Sequence, residues 1–167
     1  MLRLIPFCLL LATPALAAEA VTGHPTVIDG DTIDVRGRRI DLYGIDAPEA
    51  AQTCETASGT PYRCGQAAAA ALRQQIGSAA VTCEPQGPAA KERLTALCRA
   101  GSTDLSAWMV GHGHALALRE AAQGYTHQER RAWATRKGIW AGVFEEPADW
   151  RHAQSRAKAL ASAQASD

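Results

Sequence analysis

The sequence predicts an α+β domain with a mainly β core: a small closed barrel of five strands carrying three helices. Three observations predict it. Short runs of alternating apolar residues separated by glycine turns fill residues 26–45. An Ala-rich stretch with apolar residues four apart comes next. Two more strand-like runs, each holding one cysteine, then precede two further helical stretches. Alternation marks half-buried strands, and a spacing of four marks a helix face.

Ahead of the barrel, residues 1–17 read MLRLIPFCLLLATPALA, with Arg3, an apolar run, and small Ala15 and Ala17 before Ala18. That is the pattern of a secretory signal peptide. The run falls short of the roughly 20 residues a membrane span needs. The mature chain is therefore expected to be exported, periplasmic or secreted, with 18–25 as a short lead-in. Over the whole chain 17 Lys and Arg balance 17 Asp and Glu, and loss of Arg3 with the leader leaves a net charge near −1. This excludes a uniformly basic surface as the means of holding a polyanion. The charge is unevenly placed: acid crowds residues 29–49, while Arg130, Arg131, Arg136 and Lys137 gather late in the chain.

In the domain, expected over 26–150, strands are read at 26–29, 32–35 and 38–45, with Asp29-Gly30 and Arg36-Gly37 as the turns. Ile33 and Val35, then Ile40 and Leu42, supply the inward face. Residues 47–65, APEAAQTCETASGTPYRCG, form a loop too long to stand unsupported in a compact domain. Its own two cysteines offer the support. The stretch 65–78, GQAAAAALRQQIGS, is helical, with Leu72 and Ile76 on one face.

Loss of the leader removes Cys8 and leaves Cys54, Cys64, Cys83 and Cys98, an even set that reads as two disulfides in an exported chain. If AVTCEP and RLTALCRA form an antiparallel hairpin, Cys83 lies opposite Cys98, and Cys54 is left to pair with Cys64. No Cys-x-x-Cys pair is present, which disfavours zinc. TDLSAWMVGHG gives a second helix, capped by Thr103 or Asp104 and stopped at Gly113, and YTHQERRAWATRKGIW gives a third. Residues 151–167 are polar and Ala-rich and read as a frayed helix or disorder. Three strands, a helix, two strands and two helices suit a Greek-key barrel of the OB type.

Asp29, Asp31 and Asp46 fall at strand ends, and Glu49 lies just beyond Pro48. Carboxylates that converge repel one another unless a cation sits between them, and hard oxygen donors suit Ca²⁺ or Mg²⁺. The other reading is a solvated Asp-Gly turn and a Pro-fixed loop.

The blocks VIDGDTIDV, LYGIDAPE, CGQAAAAAL, RLTALC, DLSAWMVGHGHALA and ERRAWATRKGIW occur in an order that resembles the staphylococcal nuclease (thermonuclease) family. The resemblance implies an OB-fold barrel that hydrolyses DNA or RNA phosphodiesters with calcium. It implies that Asp31, Asp46 and the backbone carbonyl of Ala47 bind the metal, with Asp29 behind them. It makes Glu49 the carboxylate that readies the attacking water and Arg93 a phosphate-binding arginine. At position 41 the family usually carries a second arginine, where this sequence has Asp41.

Arg39 lies two residues away on the same strand face and offers a substitute for the phosphate. The acids favour a nuclease with nucleic acid as its substrate, working as a monomer. Asp41 favours a catalytically weakened module that binds nucleic acid, another polyanion or a protein. The five histidines show no nucleophile partner or metal spacing, and Trp108, Trp133 and Trp140 are expected to be core.

Overall fold

The computed structural model describes residues 19–87, 93–119, 121 and 124–164; the leader read at 1–17 lies outside the described residues. In chain order the strands before the first helix are β1 (Val21–Gly23), β2 (Pro25–Val27), β3 (Thr32–Val35), β4 (Arg38–Leu42), β5 (Ile45–Asp46), β6 (Cys54–Glu55) and β7 (Pro61–Tyr62). Helix α1 (Cys64–Ile76), β8 (Val81–Pro85), β9 (Arg93–Ala100), β10 (Thr103–Asp104) and α2 (Leu105–Gly111) come next. The chain continues through β11 (Leu116–Ala117), α3 (Thr126–Ala134), a 3-10 turn (Gly138–Ala141) and α4 (Pro147–Gln164).

The main sheet runs β1-β8-β9-β4-β3-β2, with β10 attached to β9. Its first and last strands are consecutive in the chain, interrupted only at His24. One bent strand thus pairs with β8 through its first half and with β3 through its second, bringing the edges of the sheet together in a nearly closed barrel. Closure removes the bare edges an open sheet would expose. The alternation of Ile33, Val35 and Ile40 with polar residues is realised as predicted: all three are fully buried, together with Leu72, Leu105 and Met109 from the helices. Ile76 stacks one turn below Leu72 and is also buried.

Both disulfides take the expected pairing. Cys83 faces Cys98 directly in the β8–β9 register, and Cys54 is bonded to Cys64 across the two-stranded β6–β7 pair. The second bridge ties the long loop to the start of α1. Asp104 caps α2, its Oδ1 accepting from the Ala107 amide at 3.0 Å.

Four differences from the expectation bear on the site. The strand read as 38–45 breaks at Gly44, whose φ of 78° lies in the left-handed region that favours glycine. After that break β5 leaves the main sheet and pairs with β11. The segment 18–25 is more than a lead-in, since it supplies β1. The third helix is split, with α3 ending at Ala134 and a separate 3-10 turn after it, leaving Trp133 on the outside at 62 % exposure. Trp108 and Trp140 do pack inward.

Finally, the tail forms a regular fourth helix, α4, which begins with Pro147 and carries Asp149 in its first turn. Both residues favour a helix start. Only Pro147 of this helix is buried, so no apolar stripe announced it in the sequence.

Gly65, in the first turn of α1, explains how the loop is held. A Cβ at this position would come within 1.7 Å of the Glu49 carbonyl oxygen. Because the obstacle is backbone, Gly65→Ala is expected to cost at least about 3 kcal/mol of stability, read by urea unfolding. A loss below about 1 kcal/mol would show that the loop yields freely.

Candidate active site

The break at Gly44 turns Asp46 toward the mouth of the barrel, where the hairpin turn before β3 presents Asp29 and Asp31. Asp41 lies on β4 opposite Thr32 in the β3–β4 register. These residues share one cleft of about 560 Å³ with Glu49, Arg39 and Arg93. Residues separated by more than sixty positions therefore line a single surface, and the acids read from the sequence converge.

Asp31 is partly buried. Its Oδ2 accepts from the Ala47 amide at 2.6 Å and its Oδ1 from the Thr32 hydroxyl at 3.1 Å. The Asp29 Oδ1 accepts from the Asp31 amide at 3.2 Å, so Asp29 braces the turn from behind. Burial pushes the Asp31 carboxyl up to about 8; the Ala47 amide opposes that rise, and neighbouring Asp29 and Asp46 add to it.

Folded Asp31 consequently retains a proton, between pH about 4 and about 8, that the unfolded chain has released. Stability of the metal-free protein is expected to fall as pH rises through that window, because the native state binds more protons than the unfolded one. Asp31→Asn should flatten the slope in denaturant titrations at stepped pH, and an unchanged slope would place its origin elsewhere.

Glu49 is held from behind by Gln52, which is fully buried. Gln52 Oε1 accepts from the Glu49 amide at 3.1 Å, while Gln52 Nε2 donates to the Glu145 carbonyl at 2.7 Å. A single side chain thus fixes the loop carrying Glu49 and ties it to the segment leading into α4. Sequence reading missed Gln52, since nothing local distinguishes a buried glutamine in a polar loop.

It also missed Arg151. This residue, on the first turns of α4, donates from Nη1 to Asp46 Oδ1 at 2.8 Å and from Nη2 to Asp46 Oδ2 at 3.0 Å. Nη1 also donates to Glu49 Oε1 at 2.8 Å. The hydrogen bonds to Asp46 chiefly, and to Glu49, hold the guanidinium further in its charged form than usual. The available signal was the Pro147 and Asp149 helix start; its meaning depended on a contact more than a hundred residues away in sequence.

Arg93 is placed in the cleft as the sequence suggested, yet its Nε donates to Asp41 Oδ2. That hydrogen bond raises its pKa. Asp41 therefore captures the arginine expected to meet phosphate. Arg39 lines the same cleft, but it is Arg93, its partner in the parallel β4–β9 register, that pairs with Asp41. Among the described residues, Arg39 forms no ion pair.

Among the described residues no three His, Cys, Asp or Glu side chains gather into a ready-made metal cage. The chemistry nevertheless fits a hard cation: burial, with Asp29 and Asp46 nearby, disfavours the Asp31 charge by more than the Ala47 amide offsets, and Asp46 already engages a cationic group through both oxygens. Asp31, Asp46 and the backbone at Ala47 are the groups that would hold it. The histidines remain apart from this cleft; His114 stacks on Trp108, and burial lowers its pKa.

The family model described as staphylococcal nuclease homologue matches residues 39–142, which include Asp46, Glu49 and Arg93 and exclude Asp31 and Arg151. The chain is also 36 % identical over 135 residues to the succinoglycan biosynthesis protein ExoI of Rhizobium meliloti (strain 1021), across 79 % of this chain and 71 % of that protein. The barrel, the acidic cleft at its mouth and these two matches agree: the chain belongs to the staphylococcal nuclease homologue family.

Proposed function

We propose that this protein is an exported, calcium-assisted phosphodiesterase acting on DNA or RNA as a monomer. The observation that carries this reading is the convergence of Asp31, Asp46 and Glu49 with Arg93 and Arg39 in one cleft. Calcium, when bound, would supply Lewis-acid polarisation of a phosphoryl oxygen and a positive charge near the attacking water. Asp31 and Asp46 would hold that cation, with the Ala47 carbonyl beside them, and Asp29 braces Asp31. Glu49, fixed by Gln52, accepts the proton of the water. Arg39 offers its guanidinium to the non-bridging phosphate oxygens, where fork geometry matches the acceptor, and Arg93 offers a second when it lets go of Asp41. The two disulfides support an oxidising compartment, periplasmic or extracellular. Among the described residues no helix is long and apolar enough to cross a membrane.

A specific observation favours a second reading. The Asp41–Arg93 pair removes a phosphate-facing charge and replaces it with a neutralised one. A domain so arranged suits binding of nucleic acid, another polyanion or a protein without fast cleavage. The name of the Rhizobium meliloti relative, which concerns succinoglycan biosynthesis, agrees with a role outside nucleic-acid degradation. Incubation of plasmid DNA and of single-stranded RNA with the protein in Ca²⁺, with and without EDTA, tests the first reading. Cleavage abolished by EDTA is expected. Binding of either polymer without cleavage in Ca²⁺ would favour the second.

A further inference from the structure

We propose that Arg151 is an internal cation that occupies the metal position of the cleft and must be displaced before a divalent ion binds. This rests on the reading of Asp31 and Asp46 as metal-holding residues. The guanidinium of Arg151 engages both oxygens of Asp46 and one of Glu49, at 2.8, 3.0 and 2.8 Å. A guanidinium fork takes up one acceptor direction on each Asp46 oxygen, and a second cation brought to the same carboxylate is repelled. The latch is intramolecular, and its strength is limited. The Arg151 side chain is 46 % exposed, so water screens the contact.

The helix that carries it is built to let go. Helix α4 buries only Pro147, and its remaining residues lie at the surface or partly covered. The segment just before it, by contrast, is fixed: the Glu145 carbonyl accepts from buried Gln52, and Phe144 packs edge-to-face on Trp140. The helix therefore has a fixed root and a lightly held body, with Arg151 within the second turn. Because Gln52 also fixes Glu49, release of Arg151 leaves the Glu49 loop in place and frees its carboxylate. Binding and unlatching are reciprocal: whatever Arg151 costs the ion in affinity, the ion costs α4 in order.

Isothermal titration of Ca²⁺ into the full chain and into Arg151→Gln tests this, with Arg156→Gln as a control that removes an equal charge from an exposed position on the same helix. The variant at 151 should bind roughly tenfold more tightly, the gain expected when a partly screened fork no longer competes. Arg156→Gln should change the affinity less than about twofold, as a screened charge away from the contact.

Hydrogen exchange supplies a readout independent of catalysis. Saturating Ca²⁺ should accelerate exchange in 147–164 of the wild type. In Arg151→Gln that segment should exchange quickly with or without the ion. Arg151→Lys, which keeps the charge but loses the fork, should fall between the two in affinity.

Equal or weaker Ca²⁺ binding by Arg151→Gln than by the wild type overturns the latch and leaves the metal site standing. An equal gain in Arg156→Gln also overturns it, since general charge then accounts for the effect. Absence of binding in every form at millimolar Ca²⁺ overturns the metal reading itself.

Discussion

Asp41→Arg is expected to raise Ca²⁺-dependent phosphodiester cleavage by about 10³-fold, the lower end of what one well-placed transition-state arginine supplies. Two effects act together. The substitution puts a cation on the β4 face that lines the cleft, in place of the acid that holds Arg93. It also dissolves the Asp41–Arg93 pair and frees Arg93 for the phosphate contact proposed for it. The Thr32 hydroxyl, which reaches Asp31 at 3.1 Å and Asp41 at 3.2 Å, then has a single acceptor and can devote its proton to Asp31. Initial rates on supercoiled plasmid for the two proteins, with folding monitored by circular dichroism, provide the comparison. If the folded variant cleaves no faster, Asp41 is not what limits the chemistry.

Glu49→Gln is expected to lower the same activity by about 10² to 10⁴-fold while leaving the fold intact, since the change removes the proposed proton acceptor and keeps the size of the side chain. The clamp from Gln52 reaches the Glu49 amide rather than its carboxylate, so the loop retains its anchor. One contact does change: Arg151 loses a charged partner at Glu49 Oε1 and keeps Asp46. The loss should therefore appear in turnover and not in thermal stability. A variant that cleaves at the parental rate would assign the proton to some other group.

Most of the barrel was legible in the sequence because local patterns dictate it. Ile33, Val35 and Ile40 alternate inward, and the hairpin register puts Cys83 opposite Cys98. The acids were equally legible, each lying at a strand end or just past a proline. What could not be read was long-range pairing of exposed charges. Arg93 and Arg151 each look like ordinary surface arginines, and only closure of the barrel and the course of α4 bring them to Asp41, Asp46 and Glu49. Gln52 and Gly65 escaped notice for a related reason. Their importance lies in backbone atoms of other segments, Glu145 and Glu49, which no side-chain pattern encodes. The fourth helix was obscured because it hides almost no apolar surface.

Metal binding at Asp46 requires a divalent cation to replace a guanidinium there, and a crystal structure of the wild type grown in saturating Ca²⁺ tests this most directly. The expected result is an ion about 2.3 to 2.6 Å from oxygens of both Asp31 and Asp46, with Arg151 turned away from them. Arg151 still forked onto Asp46, with no ion within reach of Asp31, would contradict it.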